Sequence, residues 1–368
     1  MRQPQSSTPG VRVRVAFVVG HALGHVGRAL NVANALRASR QFCDITFVGN
    51  NPGRHFEQYV CPEGFAAVPI GSATEPSPLS YANLLAEVLS NVKPDVVVYD
   101  LSPFPWLLLT GTFPVPQAYL TNYFLTRLGD ELTAQDATFT ANRSRINAAR
   151  QSLGLPSLAS VRELYEKDRV ILADPPQLLS DAAALPASYT LAGAIWWAPE
   201  GELPADLQHA RDILYVSLGS TGAHIPRGTL ARIATRLHAG QVVVTSTKRP
   251  PDDAFVAVPI SYYNSLPGDK VLDRSILAIT QGGAGSCYQA LSAGVPLWIS
   301  PSYHNHNLLG KRLVQLGLAF MLDTDTMETA LEEFMEDRVA IVQRLSKFRS
   351  MNSNVASLAA AAAIVALS

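Results

Sequence analysis

The chain has 368 residues, more than one core ordinarily holds, so two domains of roughly 100 to 200 residues each are the first expectation. Hydrophobic residues make up 48% and charged residues 16%, which excludes a disordered or highly charged chain and suits buried sheets flanked by helices. A formal charge of -1, from 29 basic and 30 acidic residues, offers no basic field for a phosphate backbone, so no nucleic-acid partner is expected.

The opening MRQPQSSTPG is polar and proline-bearing and reads as a disordered tail over 1–10. In VRVRVAFVVG, which follows, Arg12 and Arg14 break any apolar core of a secretory signal. A strand VRVAFVV then precedes a helix GRALNVANALRA. A second strand DITFVG follows, and a helical stretch near Tyr81 to Ser90 leads to the strand PDVVVYD. Near-continuous Val and Ile runs predict strands covered on both faces, hence a parallel sheet with helical crossovers. The segment GAIWWAPEGELPADLQHA, rich in Pro, Gly and acidic residues, carries a linker over 199–211. The rhythm resumes at Asp212, where ILYVSLGS, QVVVTS, the short VAVPI, LAIT and PLWIS supply strands, and RGTLARIATRLHAG and SCYQALSAG supply helices. The fold class is therefore α/β: two Rossmann-like, doubly wound domains over 11–198 and 212–345, facing each other across a cleft. The stretch 346–368 ends in an apolar run from Ala356 to Leu367. At about a dozen residues it falls short of the roughly 20 that span a bilayer, and it reads as a docking helix. Cys43, Cys61 and Cys287 lack disulfide pairing or C-x-x-C zinc spacing, which points to reduced thiols in a cytoplasmic chain.

The sharpest local pattern is LAITQGGAGSCYQALSAGVPLWISP: a strand, a glycine turn, a helix closed by Gly294 and a strand opened by Pro296. Glycines let backbone N–H groups approach an anion closely, and the following helix adds its positive end, so a diphosphate fits there. A tight strand-to-helix turn with no ligand would share the local pattern.

This segment resembles the donor-binding signature of family 1 GT-B glycosyltransferases, H-G-G-x-G-S/T-x-x-E-A-L-x-x-G-V-P followed by P-x-x-x-D-Q. Gly282, Gly283, Gly285, Ser286, Ala290, Leu291, Gly294, Val295, Pro296 and Pro301 match. Three polar places depart: Gln281 replaces His, Gln289 replaces Glu, and Asn305-His306 replaces Asp-Gln. The resemblance implies that Gln281 and Ser286 face the diphosphate, Gln289 the ribose, and Asn305 and His306 the sugar hydroxyls. YVSLGST is similar to the family's V-S-x-G-S loop, which would bring Ser220 and Thr221 to the diphosphate from the other side. NSLPGDKVLDRSILAI is similar to its P-x-x-x-L-L segment, which would set the backbone around Leu266 against the nucleobase. On this likeness 11–198 is the acceptor-binding domain and 212–345 the nucleotide-sugar-binding domain.

In VVGHALGHVGRALNVANAL a loop leaves a strand, and His25 stands at the mouth of a helix whose start falls near Val26. That position faces the cleft beyond the strand ends, where α/β ligands bind, and a neutral imidazole there can take the proton of an attacking hydroxyl. Asp100, closing PDVVVYD, ends at the same sheet edge and can orient the ring and stabilise the imidazolium. A capping imidazole and a solvated strand end are the plainer alternatives. The family's G-H-x-x-P/R loop supplies its base in this way and matches at Gly24 and His25, with the orienting Asp at Asp100. His21 is a second candidate with a poorer match.

GHALGHVG also has the look of a dinucleotide fingerprint, but DITFVGN ends without the acid that would hold a ribose, which disfavours NAD. Asp323-Thr324-Asp325 spells D-x-D, yet Asp325 with Glu328 three residues on reads as a helix start, and no metal site is expected. His304 and His306 in SYHNHN lack acidic or cysteine partners nearby and suit a sugar-facing role. Trp196 and Trp197 fit either an acceptor wall or interdomain packing.

The reading is an inverting, metal-independent glycosyltransferase with no cofactor, its co-substrate a UDP or TDP sugar and its acceptor a small-molecule, natural-product hydroxyl. The apolar stretch LSPFPWLLLTGTFPVPQAYLTNYFL is a candidate acceptor wall. The polar departures point to a deoxysugar or modified sugar rather than UDP-glucose. A membrane span is not expected, peripheral membrane contact stays open, and the chain is a monomer or homodimer. A nonhydrolysing sugar-nucleotide epimerase and a noncatalytic sugar-nucleotide-binding subunit are the alternatives.

Overall fold

Val15, Phe17 and Val19 of the first strand point into one hydrophobic core and Ala16 and Val18 into another, so the sheet they belong to is covered on both faces. The computed structural model describes residues 12–39, 43–49, 55–70, 78–101, 113–129, 137–179, 184–219, 225–246, 258–323 and 327–368. The polar stretch 1–10 lies outside them.

In the first domain β1 (Val13–Val19), α1 (Leu23–Ala38), β2 (Cys43–Gly49), β3 (Ala66–Pro69), α2 (Pro78–Val92), β4 (Val96–Asp100), β5 (Gln117–Thr121), α3 (Ala137–Ser152), β6 (Arg169–Leu172) and β7 (Tyr189–Leu191) follow in turn. The strands form a seven-stranded sheet in the order β3-β2-β1-β4-β5-β6-β7, and every pairing is parallel. The alternation seen in β1 recurs: Val96 and Val98 face one core, Val97 and Tyr99 the other.

The second domain comprises β8 (Ile213–Ser217), α4 (Arg227–Arg236), β9 (Gln241–Thr245), β10 (Ile260–Tyr263), α5 (Gly268–Leu272), β11 (Ser275–Thr280), α6 (Ala284–Ala293), β12 (Leu297–Ile299), α7 (His304–Gln315), β13 (Ala319–Met321) and α8 (Met327–Leu345). Its parallel sheet has the order β10-β9-β8-β11-β12-β13. The strand expected at VAVPI begins only at its last residue and runs Ile260–Tyr263. Pro259 has no N–H to donate to a ladder, and its carbonyl accepts from the Val242 N–H at 2.9 Å.

The chain closes with α9 (Ser353–Val365), whose Ala356, Ala360, Ala361 and Ile364 are buried in the core beneath α1. Small side chains let the two helices approach closely, and Asn352 caps α9 by accepting from the N–H groups of Asn354 and Val355. The last helix therefore returns to the first domain. Asn31 of α1 and Ser353 both donate to the Trp196 carbonyl at 2.6 Å, stitching α1, the segment before the linker and α9 together. Among the described residues no helix is long and apolar enough to cross a membrane.

In each sheet the order reverses beside the first strand, between β1 and β4 and between β8 and β11, which leaves a crevice at the carboxyl ends of those strands. The two carboxyl edges face each other. Tyr288 of α6 reaches Asp174 beyond β6, Gln289 of α6 reaches Trp197, and Arg312 of α7 donates to the Leu178 carbonyl at 2.9 Å.

Candidate active site

His25 and Arg28 stand three residues apart on α1, so both project from one face of the helix. The expected start near Val26 is corrected: α1 begins at Leu23, because the His25 and Val26 N–H groups already donate to the Ala22 carbonyl at 3.0 and 3.2 Å. His25 is thus held in a helical turn rather than on a loop. Gly24 lies in the same turn, with nothing within 4 Å of where a β-carbon would stand.

Asp100 closes β4, the neighbour of β1, and is fully buried. Its Oδ1 lies 2.7 Å from His25 Nδ1 and accepts from Arg28 Nη2 at 2.5 Å, while Oδ2 accepts from Arg28 Nε at 2.8 Å. Burial alone would push this carboxyl up, but the Arg28 guanidinium and the His25 ring together hold it below the ordinary carboxylate range. An ionised carboxylate only accepts, so the hydrogen-bond network assigns the proton to His25 Nδ1 and leaves Nε2 with its lone pair. The His25 side chain keeps 22% of its exposure, whereas Asp100 behind it has none, so the ring is the solvent-facing member of the pair.

Behind this pair the network continues inward. Arg28 Nη1 donates to Asn122 Oδ1 at 2.8 Å, and Asn122 Nδ2 donates to Asp174 Oδ1 at 2.9 Å. Asp174, fully buried, also accepts from the Tyr123 N–H at 2.7 Å and from the Tyr288 hydroxyl at 2.5 Å.

On the opposite wall β11 runs into the glycine turn. Gly282 has φ 87°, and a β-carbon there would come within 2.7 Å of the His306 carbonyl oxygen, so conformation and space both demand glycine. Gly283 is the N-cap residue of α6, and Gly285 and Ser286 lie in its first turn, where N–H groups have no intrahelical acceptor and the dipole is positive. Gln281 is buried and donates Nε2 to the Leu218 carbonyl, tying the turn to the end of β8. Ser220 and Thr221 lie outside the described residues.

Gln289 donates to the Trp197 carbonyl at 2.9 Å, so its amide joins α6 to the chain leaving the first domain. The Leu266 side chain is buried in the core of the second domain, just before α5. Asn305 and His306 occupy the first turn of α7, both half-buried. His306 Nδ1 is buried without a hydrogen-bond partner among the described residues. Burial first, and then the nearby His25, push the His306 ring down to about 4. His306 of the second domain and His25 of the first therefore share one cleft.

Trp197 packs against Gly27 of α1, where a β-carbon would come within 2.8 Å, and against the Tyr59 ring at 4.8 Å. This is a packing role. Thr324 and Asp325 of the D-x-D lie outside the described residues, among which no group of three or more His, Cys, Asp or Glu could hold a metal ion. Sequence reasoning missed Arg28, Asn122, Asp174 and Tyr288. Arg28, at i+3 from His25, was the one with a visible signal.

The opposed parallel sheets and their facing carboxyl edges define the GT-B fold, and comparison with solved structures agrees. The kitacinnamycin glycotransferase superposes with a TM-score of 0.74 at 20% identity, over 96% of this chain and 98% of that one. The spinosyn rhamnosyltransferase SpnG, solved with thymidine diphosphate, gives 0.61 at 16% identity over 94% and 98%. No protein-family profile matches the chain. A PGL/p-HBAD biosynthesis glycosyltransferase of Mycobacterium tuberculosis (strain ATCC 25177 / H37Ra) is 27% identical over 360 residues, covering 86% of this chain and 82% of that protein. A PGL/p-HBAD biosynthesis rhamnosyltransferase of Mycobacterium bovis (strain BCG / Pasteur 1173P2) is 26% identical over 367 residues, covering 88% and 80%. The chain has the GT-B fold and, by its similarity to these proteins, is a glycosyltransferase.

Proposed function

We propose that this chain is an inverting transferase that moves a sugar from a UDP or TDP sugar to a hydroxyl of a small-molecule, natural-product acceptor. His25 Nε2 takes the hydroxyl proton as the oxygen attacks the anomeric carbon. The bond from that carbon to the diphosphate breaks on the far side, and the nucleoside diphosphate leaves with the bonding electrons. Asp100 holds the ring and stabilises the imidazolium. Ser286 and the N–H groups after Gly283 neutralise the departing charge at the start of α6, with Gln281 beside them, so the site needs no cation. Ser220 and Thr221 complete the diphosphate cradle, backbone near Leu266 takes the base, Gln289 the ribose, and Asn305 and His306 the sugar.

The observation that carries this reading is the 2.7 Å contact between His25 and a fully buried Asp100, at the sheet edge that faces the glycine turn. The M. bovis relative is named a rhamnosyltransferase, and the SpnG structure holds thymidine diphosphate. Both support a TDP-deoxysugar as donor and sit with the uncharged donor shell of Gln281, Gln289, Asn305 and His306. The acceptor wall falls partly on 102–112, outside the described residues. Incubation with an α-linked TDP-deoxysugar and a phenolic acceptor tests the reading. A β-linked product by NMR coupling constants is expected, and an α-linked product would rule out the single displacement.

A further inference from the structure

Arg28 poses an electrostatic problem for a base at His25. A carboxylate beside an imidazole helps it accept a proton, but a guanidinium locked onto that same carboxylate through two of its nitrogens cancels most of the help. The structure supplies a second carboxylate. Asp174 accepts from three N–H or O–H donors and donates to none, the pattern of an ionised group. Burial leaves this carboxyl above its ordinary value on balance, against the opposing pull of Tyr288, Asn122, Tyr123 and Arg28; the case for its charge is the three donors, two of them N–H groups that can only donate. Two carboxylates then face one guanidinium. The buried cluster carries one net negative charge while His25 is neutral and none once His25 is protonated, so the charge of the cluster favours the proton transfer.

One of the three donors to Asp174 comes from the other domain. Tyr288 is fully buried on α6, the helix whose first turn faces the donor, and its hydroxyl meets Asp174 Oδ1 at 2.5 Å. The path from the donor helix to the base is continuous: Tyr288, Asp174, Asn122, Arg28, Asp100, His25. Removing the second domain would leave Asp174 short of a donor in a site too buried for water to replace it cheaply.

We propose that Asp174 and Tyr288 are positioning residues for transfer: through Asn122, Arg28 and Asp100 they give His25 its full strength as a base only while the donor helix is docked against the first domain. The proposal rests on His25 being the base. Among the described residues, the charged and titratable groups that face His25 are Asp100 from β4, Arg28 from its own helix and His306 from α7, with Asp174 and Tyr288 one layer behind.

The test uses the full chain and compares D174N and Y288F with the parent by rate against pH, alongside H25A. D174N keeps shape and removes the charge. The plateau of kcat/KM should fall about tenfold, and the acidic limb, where the base must shed its proton, should move to lower pH by about half a unit to one unit. Y288F keeps the ring and removes the bond. Its kcat should fall about tenfold with donor KM within about twofold, because Tyr288 lies on the buried side of α6. A D174N plateau that falls with an unmoved limb would reduce Asp174 to a structural part and overturn the proposal. A Y288F kcat within about twofold of the parent would also overturn it, and this variant decides the matter if D174N fails to fold. Full activity in H25A would instead remove the base reading itself, a result that neither of the other variants can mimic.

Discussion

His25 Nδ1 lies 2.7 Å from Asp100 Oδ1, and Asp100 has no solvent exposure, so the ring is held by a partner that water cannot replace. If this pair is the base and its orienter, replacing His25 with Ala should cut transfer at least roughly a hundredfold while donor affinity stays within a few-fold. Asp100→Asn should cost less, because the imidazole remains. Steady-state kinetics and donor titration check both, and near-normal turnover in His25→Ala would move the role to His21 or elsewhere.

Arg28 holds Asp100 in place through two hydrogen bonds and is itself buried. Arg28→Met should destabilise the fold by about 3 to 5 kcal/mol, since it leaves buried carboxylates without their cation. Denaturant unfolding measures this. A loss below about 1 kcal/mol would mean that the pair behaves like an exposed one.

His306 is pushed down to about 4 in the fold from an ordinary 6.5. Below pH 6.5 the unfolded chain binds a proton there that the folded chain refuses, so stability falls as pH drops from 6.5 towards 4 and is fully present above 6.5. The effect is at most about 3 kcal/mol. In His306→Gln the slope of stability against pH across this window should flatten by up to one proton, read from unfolding curves between pH 4 and 7. An unchanged slope would place the titration on another group.

Transfer should persist in excess chelator, because the site relies on the start of α6 rather than on a cation. Loss of activity restored by titrating manganese or magnesium would reopen the role of Asp323 and Asp325.

In competition at equal concentration, a TDP-deoxysugar should show a higher kcat/KM than UDP-glucose. Neutral hydrogen bonds are roughly half as strong as charge-assisted ones, and a donor shell without carboxylates has less to offer a sugar rich in hydroxyl donors. The double variant N305D/H306Q should move preference towards UDP-glucose. No movement would mean that these two residues do not face the sugar.

Both parallel sheets were legible from Val and Ile runs because burial on two faces leaves no polar positions, as the alternation of Val15 to Val19 between two cores shows. The glycine turn was legible because the positive φ of Gly282 is a demand of the turn itself, whereas the His306 carbonyl 2.7 Å from a β-carbon there is a tertiary contact that the local pattern does not show. The helix start was misplaced by three residues because Ala22, with no side chain to cap, accepts the first bonds through its carbonyl alone.

The sequence by itself determined the fold class and the glycine turn, which follow from periodicity and short-range spacing, and it singled out His25 and Asp100 by their places at a helix mouth and a strand end and by their match to the GT-B motifs. Only the tertiary structure decided what surrounds them. Arg28 meets Asp100 across 72 residues, Asn122 meets Asp174 across 52, and Tyr288 meets Asp174 across 114. Such pairs leave no trace in a local pattern, because a buried charge is selected by the partners that the folded chain brings to it rather than by its neighbours in sequence.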